Sequence, residues 1–130
     1  MGDEHTMHIG EVAERTSLSL RTLRHYDEIG LVNPSGRTEG GFRLYTEADI
    51  ARLMLVRRMK PLGYSLEQMS VVLSVFDALA DDPMSDVHRT ELDSIRGVAI
   101  ERKQHLLEQV QMADDFLAQL DELGALASAD

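Results

Sequence analysis

The stretch RTLRHYDEIGLVNPSGRTEGGFRLYT, residues 21–46, changes from a helical spacing of apolar residues to turn residues and then to a short strand pattern. It holds four arginines and one histidine, although the chain of 130 residues has a net charge of −10. Arginine donates paired hydrogen bonds to phosphates and to guanine. The composition of this stretch therefore raises the question of why an acidic protein concentrates its arginines here.

Charge is distributed unevenly along the rest of the chain. Between Arg15 and Lys60 there are nine basic and five acidic residues, a net charge of +4, whereas residues 66–130 have a net charge of −10. A locally basic segment indicates a surface for a polyanion, and the acidic segment indicates a different role. The alternative is an acidic protein whose charges are scattered by chance.

Composition excludes several classes of site. The sequence has no cysteine, which excludes disulfides, thiolate catalysis and cysteine-ligated metals, and its histidines form no pair at i, i+4, so we expect no metal and no other cofactor. The glycines near residue 40 lack the spacing of a phosphate-binding loop, and we expect no enzymatic activity. Neither a signal peptide nor a membrane span of ~20 apolar residues is recognisable, so we expect a cytoplasmic protein with no membrane partner.

Two short helices joined by a tight turn are predicted near the N-terminus. Apolar residues share one face of the first helix: Ile9, Val12 and Ala13. Ser19 is a good N-cap for the second helix, which we expect to run from about Leu20 to Ile29. Leu20 and Leu23 are expected to face inward, so the pair has the pattern of a helix-turn-helix.

The opposite face of the second helix is basic. Arg21, Arg24 and His25 have the spacing i, i+3, i+4 and therefore project from one side. A helix that enters the major groove needs such a face, because arginine binds phosphates and reads guanine with two hydrogen bonds. A surface helix can also have this spacing by chance.

A β-hairpin is predicted after the second helix. Val32–Pro34 is the expected edge strand, Ser35–Gly41 the expected loop and Phe42–Tyr45 the expected return strand. The loop carries Arg37 and the return strand carries Arg43, which is the arrangement of a wing. The alternative is a connecting hairpin with solvated arginines.

A second pair of helices follows the hairpin. Thr46 and Ser65 each begin a capping box before an amphipathic helix. Basic and aromatic residues lie at the turn between these helices: Arg57, Arg58, Lys60 and Tyr64. We therefore predict a winged helix-turn-helix domain over residues 8–76, followed by an acidic linker at residues 77–84.

One long helix is predicted over residues 85–123, with a tail at residues 124–130. Its apolar residues have coiled-coil spacing and are the expected dimer interface: Leu92, Ala99, Leu106, Val110, Ala113, Leu117 and Leu120. A helix of that length would be ~55 Å long and would leave this stripe in water unless a second copy covered it. The alternative is that the helix folds back on its own domain.

The order of these elements resembles the MerR family of bacterial transcription regulators. The similarity rests on HIGEVAERTSLSLRTLRHYDEIGLV at the first two helices, on GGFRLYTEADIARL at the wing and third helix, and on LGYSLEQM at the second turn. It covers residues 8–76 strongly, and residues 85–123 match as a dimerisation helix. The resemblance implies an all-α fold with a small β-hairpin wing, that is, a winged helix-turn-helix plus a long antiparallel coiled-coil dimerisation helix.

The resemblance also implies a function and a set of contacts. It implies a homodimer that binds an inverted-repeat operator in promoter DNA, bends and underwinds that DNA, and acts with RNA polymerase at the promoter. Two positions depart from the family: His25 replaces its commonest aromatic residue, and Phe42 lacks the hydroxyl of its frequent tyrosine. The implied contacts to double-stranded DNA are Ser19, Arg21, Thr22, Arg24, His25, Tyr26, Arg37, Gly41, Phe42, Arg43, Tyr45, Lys60 and Tyr64.

The sequence predicts little about an effector. Without the cysteines of metal-sensing and redox-sensing members, and without a recognisable ligand domain, we expect either an apolar small molecule of modest size or no ligand. The expected places are the helical cleft near Leu66–Phe76, where Val71, Val72 and Val75 add apolar surface, and the start of the facing long helix. A plain hydrophobic core is the alternative explanation of these valines and the better one.

Two other functions stay open at this point. An architectural or excisionase-like DNA-bending protein can use the same winged domain, but the long helix favours a two-fold regulator. An acidic coiled-coil adaptor that binds protein is the other possibility, and the basic segment between Arg15 and Lys60 argues against it.

Overall fold

The computed structural model describes residues 5–128, and the chain divides into two compact units, the first ending at Arg89 and the second beginning at Thr90. The short strands and the shorter helices lie in the first unit, and one long helix continues into the second. The elements in chain order are β1 (Met7–His8), α1 (Ile9–Thr16), α2 (Leu20–Glu28), β2 (Gly36–Arg37), β3 (Arg43–Tyr45), α3 (Glu47–Met59), a 3-10 turn (Lys60–Leu62), α4 (Leu66–Asp81) and α5 (Asp86–Ala127).

The predicted helix-turn-helix is present as α1 and α2. Val12 is buried on α1, and Leu23 and Tyr26 are buried on α2. Leu20 was predicted to face inward, but it is exposed. The buried stripe of α2 consists of residues three apart that start at Leu23, and Leu20, in the first turn of the helix, is left outside the core.

The hairpin differs from its prediction in the first strand. The expected strand Val32–Pro34 is wrong, because the backbone N–H groups of Leu31 and Val32 both donate to the carbonyl of Tyr26, at 2.9 and 3.3 Å, and bind this segment to the end of α2. The strand that pairs with β3 is instead Gly36–Arg37. Val32 is a buried core residue and takes no part in the ladder.

The sheet has an additional strand that the sequence did not indicate. β1 pairs antiparallel with β3, so that Met7 lies opposite Tyr45, and the strand order is β1-β3-β2. Both of these side chains are fully buried. A strand of two residues is too short to show alternation in a sequence, yet it fixes the base of the wing to the start of the domain.

The second helical pair confirms both capping boxes. The hydroxyl of Thr46 accepts from the backbone N–H of Asp49, and that of Ser65 accepts from the backbone N–H of Gln68. Residues of both helices complete the core with Ile50, Leu53, Val56, Met59, Met69 and Leu73. α4 runs on to Asp81, so most of the segment expected as an acidic linker is helical.

Asp49 is a buried carboxylate at the start of α3. Its Oδ2 accepts hydrogen bonds from the backbone N–H of Thr46 at 2.9 Å and from the N–H and hydroxyl of Ser35 at 3.0 and 2.7 Å. Its Oδ1 accepts from Nη1 of Arg52 at 2.8 Å. A buried charge is tolerated only when it is paired in this way, so Asp49 fixes the segment before the wing to α3.

Replacing Asp49 with alanine is expected to lower the free energy of unfolding by about 3 kcal/mol, because the buried N–H group of Thr46 and the donors of Ser35 lose their acceptor and Arg52 loses its buried partner. Urea unfolding followed by circular dichroism measures this loss. Asp77→Ala is the matched control, since Asp77 is a half-exposed carboxylate that also pairs with Arg52, through its Nε at 2.8 Å. That control is expected to cost less than about 1 kcal/mol. Equal losses in the two variants would contradict the role given to Asp49.

The long helix α5 has 42 residues, which corresponds to a length of ~63 Å. It continues to Ala127, past the predicted end at residue 123 and into the expected tail, and residues 129–130 of that tail lie outside the described residues. None of its side chains is buried, and the leucines and valine of the predicted interface are 39–57% exposed.

Within residues 5–128, no helix combines the length and the apolarity that a membrane span requires.

Candidate nucleic-acid interface

The basic face of α2 is on the surface, as the helical spacing predicted. Arg21, Arg24 and His25 are all exposed. The ring of His25 lies 6.2 Å from the ring of Tyr26, measured between centroids, with the planes tilted by 42°. Leu23 and Tyr26 anchor the other side of the helix in the core. The helix therefore presents its cations outward from a fixed position.

The first turn of α2 is fixed by two residues that were predicted to contact DNA. The hydroxyl of Ser19 accepts from the backbone N–H of Thr22 at 3.0 Å and lies 2.9 Å from the Thr22 hydroxyl oxygen. These contacts cap the helix and set the direction in which Arg21 leaves it. Because Ser19 is also exposed, a phosphate can approach the N-terminus of α2 while the cap stays in place.

Both wing arginines are paired with one carboxylate on α2. Nε of Arg43 donates to Oδ2 of Asp27 at 2.6 Å, and Nη2 of Arg37 donates to the same oxygen at 2.8 Å. The amide of Asn33 donates to the other oxygen, Oδ1, at 2.8 Å. The side chain of Asp27 is only 9% exposed. The wing is therefore held against the C-terminal half of α2.

Asp27 was missed by the sequence reasoning. The only signal was an acidic residue next to a basic helical face, and its partners lie 10 and 16 residues away along the chain. Burial alone would raise the pKa of the Asp27 carboxyl, but the hydrogen bonds from Arg43, Asn33 and Arg37 outweigh burial and hold that pKa below its usual range. The carboxylate is thus charged at neutral pH.

The tip of the wing is a turn with an exposed aromatic ring. Gly41 has a φ of +85°, a left-handed conformation that favours glycine, and its carbonyl accepts from Nη1 of Arg37 at 3.3 Å. The backbone of Phe42 bonds to Thr38 through both its carbonyl and its N–H group. Because Phe42 is 69% exposed, the tip presents an apolar surface beside the arginines.

Two tyrosines predicted to contact DNA are core residues. Tyr26 is 4% exposed and Tyr45 is 0% exposed. Burial raises the pKa of both hydroxyls, and the Tyr45 hydroxyl has no hydrogen-bond partner in the described part of the chain. The buried hydroxyl of Tyr45 contradicts a direct contact from that residue, which supports the wing from the core. The contact expected from Tyr26 stays a prediction, although its ring packs in the core behind α2.

A second basic surface lies at the turn between α3 and α4. Lys60 is exposed, and Tyr64 is half-buried against the core. The surface includes an open groove of about 650 Å³ lined by Arg57, Arg58, Lys60, Pro61 and Leu62. Arg57 and Arg58 lie in the last turn of α3, where a positive charge also stabilises the helix dipole.

The arrangement suits contacts with a phosphate backbone. The exposed arginines are on α2, and the wing arginines are paired with Asp27 of that same helix; arginine is the side chain that binds phosphates and base edges. Within residues 5–128, no three His, Asp or Glu side chains are grouped closely enough to hold a metal ion.

The sequence of this chain is similar to a described protein family and to individual regulators. The family described as MerR HTH family regulatory protein matches residues 7–74. The HTH-type transcriptional regulator CueR of Salmonella typhi is 34% identical over 127 residues, which cover 95% of this chain and 86% of that protein. The HTH-type transcriptional activator mta of Bacillus subtilis is 35% identical over 113 residues, 87% of this chain but only 41% of the length of that activator.

Solved structures agree with this assignment. A MerR-family transcriptional regulator from Bacillus cereus has a TM-score of 0.66 at 30% identity, with 97% of this chain and 85% of that chain covered. HiNmlR, described as a MerR family regulator lacking the sensor domain and bound to promoter DNA, has a TM-score of 0.74 at 25% identity, with 95% and 97% covered. The chain therefore belongs to the MerR family and is a DNA-binding transcription regulator built on a winged helix-turn-helix.

Proposed function

We propose that the protein is a homodimer that binds an inverted-repeat operator in promoter DNA. The observation that carries this proposal is that α2 exposes Arg21 and Arg24 and that the wing arginines Arg37 and Arg43 are paired with Asp27 of the same helix. In this arrangement α2 enters the major groove, where Arg21 and Arg24 contact bases and phosphates. Arg37 and Arg43 bind the flanking backbone from the wing.

The dimer is proposed to form through α5. The apolar residues Leu106, Val110, Ala113, Leu117 and Leu120 repeat at spacings of four, three, four and three, and they are exposed in a single chain. Pairing with a second α5 in the antiparallel direction would bury them as a coiled-coil seam. A two-fold dimer presents two copies of the basic surface, and its operator therefore consists of two symmetric half-sites.

The consequence for transcription is proposed to be a change in promoter shape. A dimer that binds two half-sites can bend and underwind the DNA between them. This change alters the geometry of the promoter DNA that RNA polymerase contacts. HiNmlR supports promoter DNA as the partner, since its structure contains it. We place this activity in the cytoplasm, with DNA and polymerase as partners and no membrane.

We propose that any effector is not a thiophilic metal. The Heavy metal-dependent transcription regulator 2 of Rhizobium meliloti is 30% identical to this chain, yet the 130 residues here contain no cysteine, the ligand that soft metals prefer. We propose that the effector is an apolar molecule of modest size, or that the protein has no effector. Leu66 and Val71 of α4 are exposed and could contact such a molecule, whereas Val75 is a buried residue.

Arg43→Ala tests the binding surface. It is expected to weaken binding to every duplex and to reduce the slope of log affinity against log salt by about one per protomer, because a phosphate contact is lost. Fluorescence anisotropy over a range of salt concentrations measures both effects. Arg89→Ala is the control, since Arg89 is an exposed arginine in the first turn of α5. An unchanged salt slope in Arg43→Ala would argue against a phosphate contact from the wing.

A further inference from the structure

Asp27 lies where a negative charge should be unfavourable for a DNA-binding protein. It is on α2, the helix that carries Arg21 and Arg24, and it contacts both wing arginines through a single oxygen. A carboxylate at this position repels the phosphates that the same surface is meant to bind. Its presence there requires a compensating effect.

The nitrogen atom through which Arg43 contacts Asp27 indicates how the negative charge is compensated. Arg43 donates its Nε to Asp27, and its Nη1 and Nη2 make no hydrogen bond with the described residues. Those two groups form the outer edge of the guanidinium, which can bind a phosphate through two parallel hydrogen bonds. The contact with Asp27 therefore orients the side chain, which is 23% exposed, and leaves these two groups without a hydrogen-bond partner among the described residues.

Arg37 is oriented by two contacts rather than one. Its Nη2 donates to Asp27 at 2.8 Å and its Nη1 donates to the carbonyl of Gly41 at 3.3 Å, while the side chain remains 46% exposed. A free arginine loses much side-chain freedom when it is ordered on a partner. Side chains that are already ordered before DNA arrives avoid most of that loss.

We propose that Asp27 is a positioning residue for DNA binding. Its carboxylate holds Arg37 and Arg43 in the orientation in which they meet the phosphate backbone, and this benefit outweighs the repulsion between the carboxylate and DNA. Asn33 supports the carboxylate from the other side, through the hydrogen bond from its amide to Oδ1. The inference rests on the proposed function, because it assigns Asp27 a role in the same surface.

The sign of the effect of Asp27→Asn tests this proposal. Electrostatics alone predicts tighter binding, since each protomer loses a negative charge. The positioning role predicts binding at least about fivefold weaker, because two arginines per protomer must then be ordered on the DNA. Glu28→Gln is the matched control: it removes the same charge from the neighbouring exposed position of α2, and its affinity is expected to be unchanged or slightly higher.

Anisotropy titrations on duplexes that the wild-type protein selects from a random pool give the readout. Binding by Asp27→Asn that is as tight as that of the wild type, or tighter, would overturn the inference while leaving the proposed function intact. Failure of the wild-type protein to bind any duplex would instead overturn the proposed function itself.

A combined variant separates positioning from a general structural role. In a background of Arg37→Ala and Arg43→Ala, adding Asp27→Asn is expected to cause no further loss, because the side chains that Asp27 orients are gone. A further loss of the same size would mean that Asp27 acts through the fold and would overturn the proposal.

If Asp27→Asn does not fold, as judged by circular dichroism, Asn33→Ala tests the same point without changing charge. It removes the amide that supports the carboxylate, and weaker binding is expected, by a smaller factor than for Asp27→Asn. Wild-type affinity in the folded Asn33→Ala protein would then overturn the proposal.

Discussion

Replacing Leu106 and Leu117 together by lysine is expected to convert the protein from a dimer to a monomer. Both residues lie in the exposed apolar stripe of α5, and each lysine would bring an unpaired charge into the proposed seam of the coiled coil. A monomer reads a single half-site, so affinity for the operator is expected to fall at least about 100-fold. Analytical ultracentrifugation measures the dimer, and anisotropy measures the affinity.

A control for this double variant adds the same charge elsewhere on the helix. Gln104→Lys with Gln119→Lys places two lysines at exposed positions outside the apolar stripe, and this protein is expected to remain a dimer with slightly higher DNA affinity. If the Leu106 and Leu117 variant sediments as a stable dimer, another surface must form the interface.

Replacing Arg21 and Arg24 together by alanine is expected to abolish specific DNA binding. Each arginine contact to a base edge contributes about 1–3 kcal/mol of discrimination, and a dimer would lose four such side chains, which corresponds to a loss of at least about 100-fold. The fold should be unaffected, because both side chains are exposed on α2. Anisotropy with operator and scrambled duplexes measures specificity, and the thermal midpoint measures stability.

The conservative variants refine this second result. Arg21→Lys with Arg24→Lys keeps the charge but loses the planar fork of the guanidinium, so binding to scrambled DNA should persist while preference for the operator falls. Retention of full preference for the operator in the alanine variant would show that α2 does not read the sequence.

The helical part of the fold could be predicted because its signals are local. Ser19, Thr46 and Ser65 are caps that mark helix starts, and the structure uses all three. The spacing of Arg21, Arg24 and His25 likewise fixed a common exposed face, since helical geometry decides it without tertiary information. The wing was indicated by turn residues and by alternation in its return strand.

The parts that could not be predicted depend on contacts between distant residues. The strand Met7–His8 exists only because Tyr45 and Leu44 lie opposite it. The segment at Val32 is bound to the end of α2 by backbone hydrogen bonds, which the residue types of the sequence do not indicate. Local patterns therefore suggested a strand there, where the tertiary structure has none.

The binding surface shows the same division between local and distant information. Tyr45 belongs to a stretch with a strong family resemblance, yet its hydroxyl is buried, so motif position alone did not distinguish a contact from a support. The pairing of Asp27 with Arg37 and Arg43 depends on the register of the hairpin against α2. Sequence identified the basic residues of the surface, and the structure was needed to find the carboxylate that orients them.

Selection of duplexes from a random pool by the wild-type protein, followed by sequencing, tests the central claim most directly. The account predicts enrichment of an inverted repeat whose two half-sites are read by the two copies of α2, and it predicts that this enrichment disappears when Arg21 and Arg24 are replaced by alanine. Enrichment of a single unrepeated site, or of no sequence at all, would contradict it.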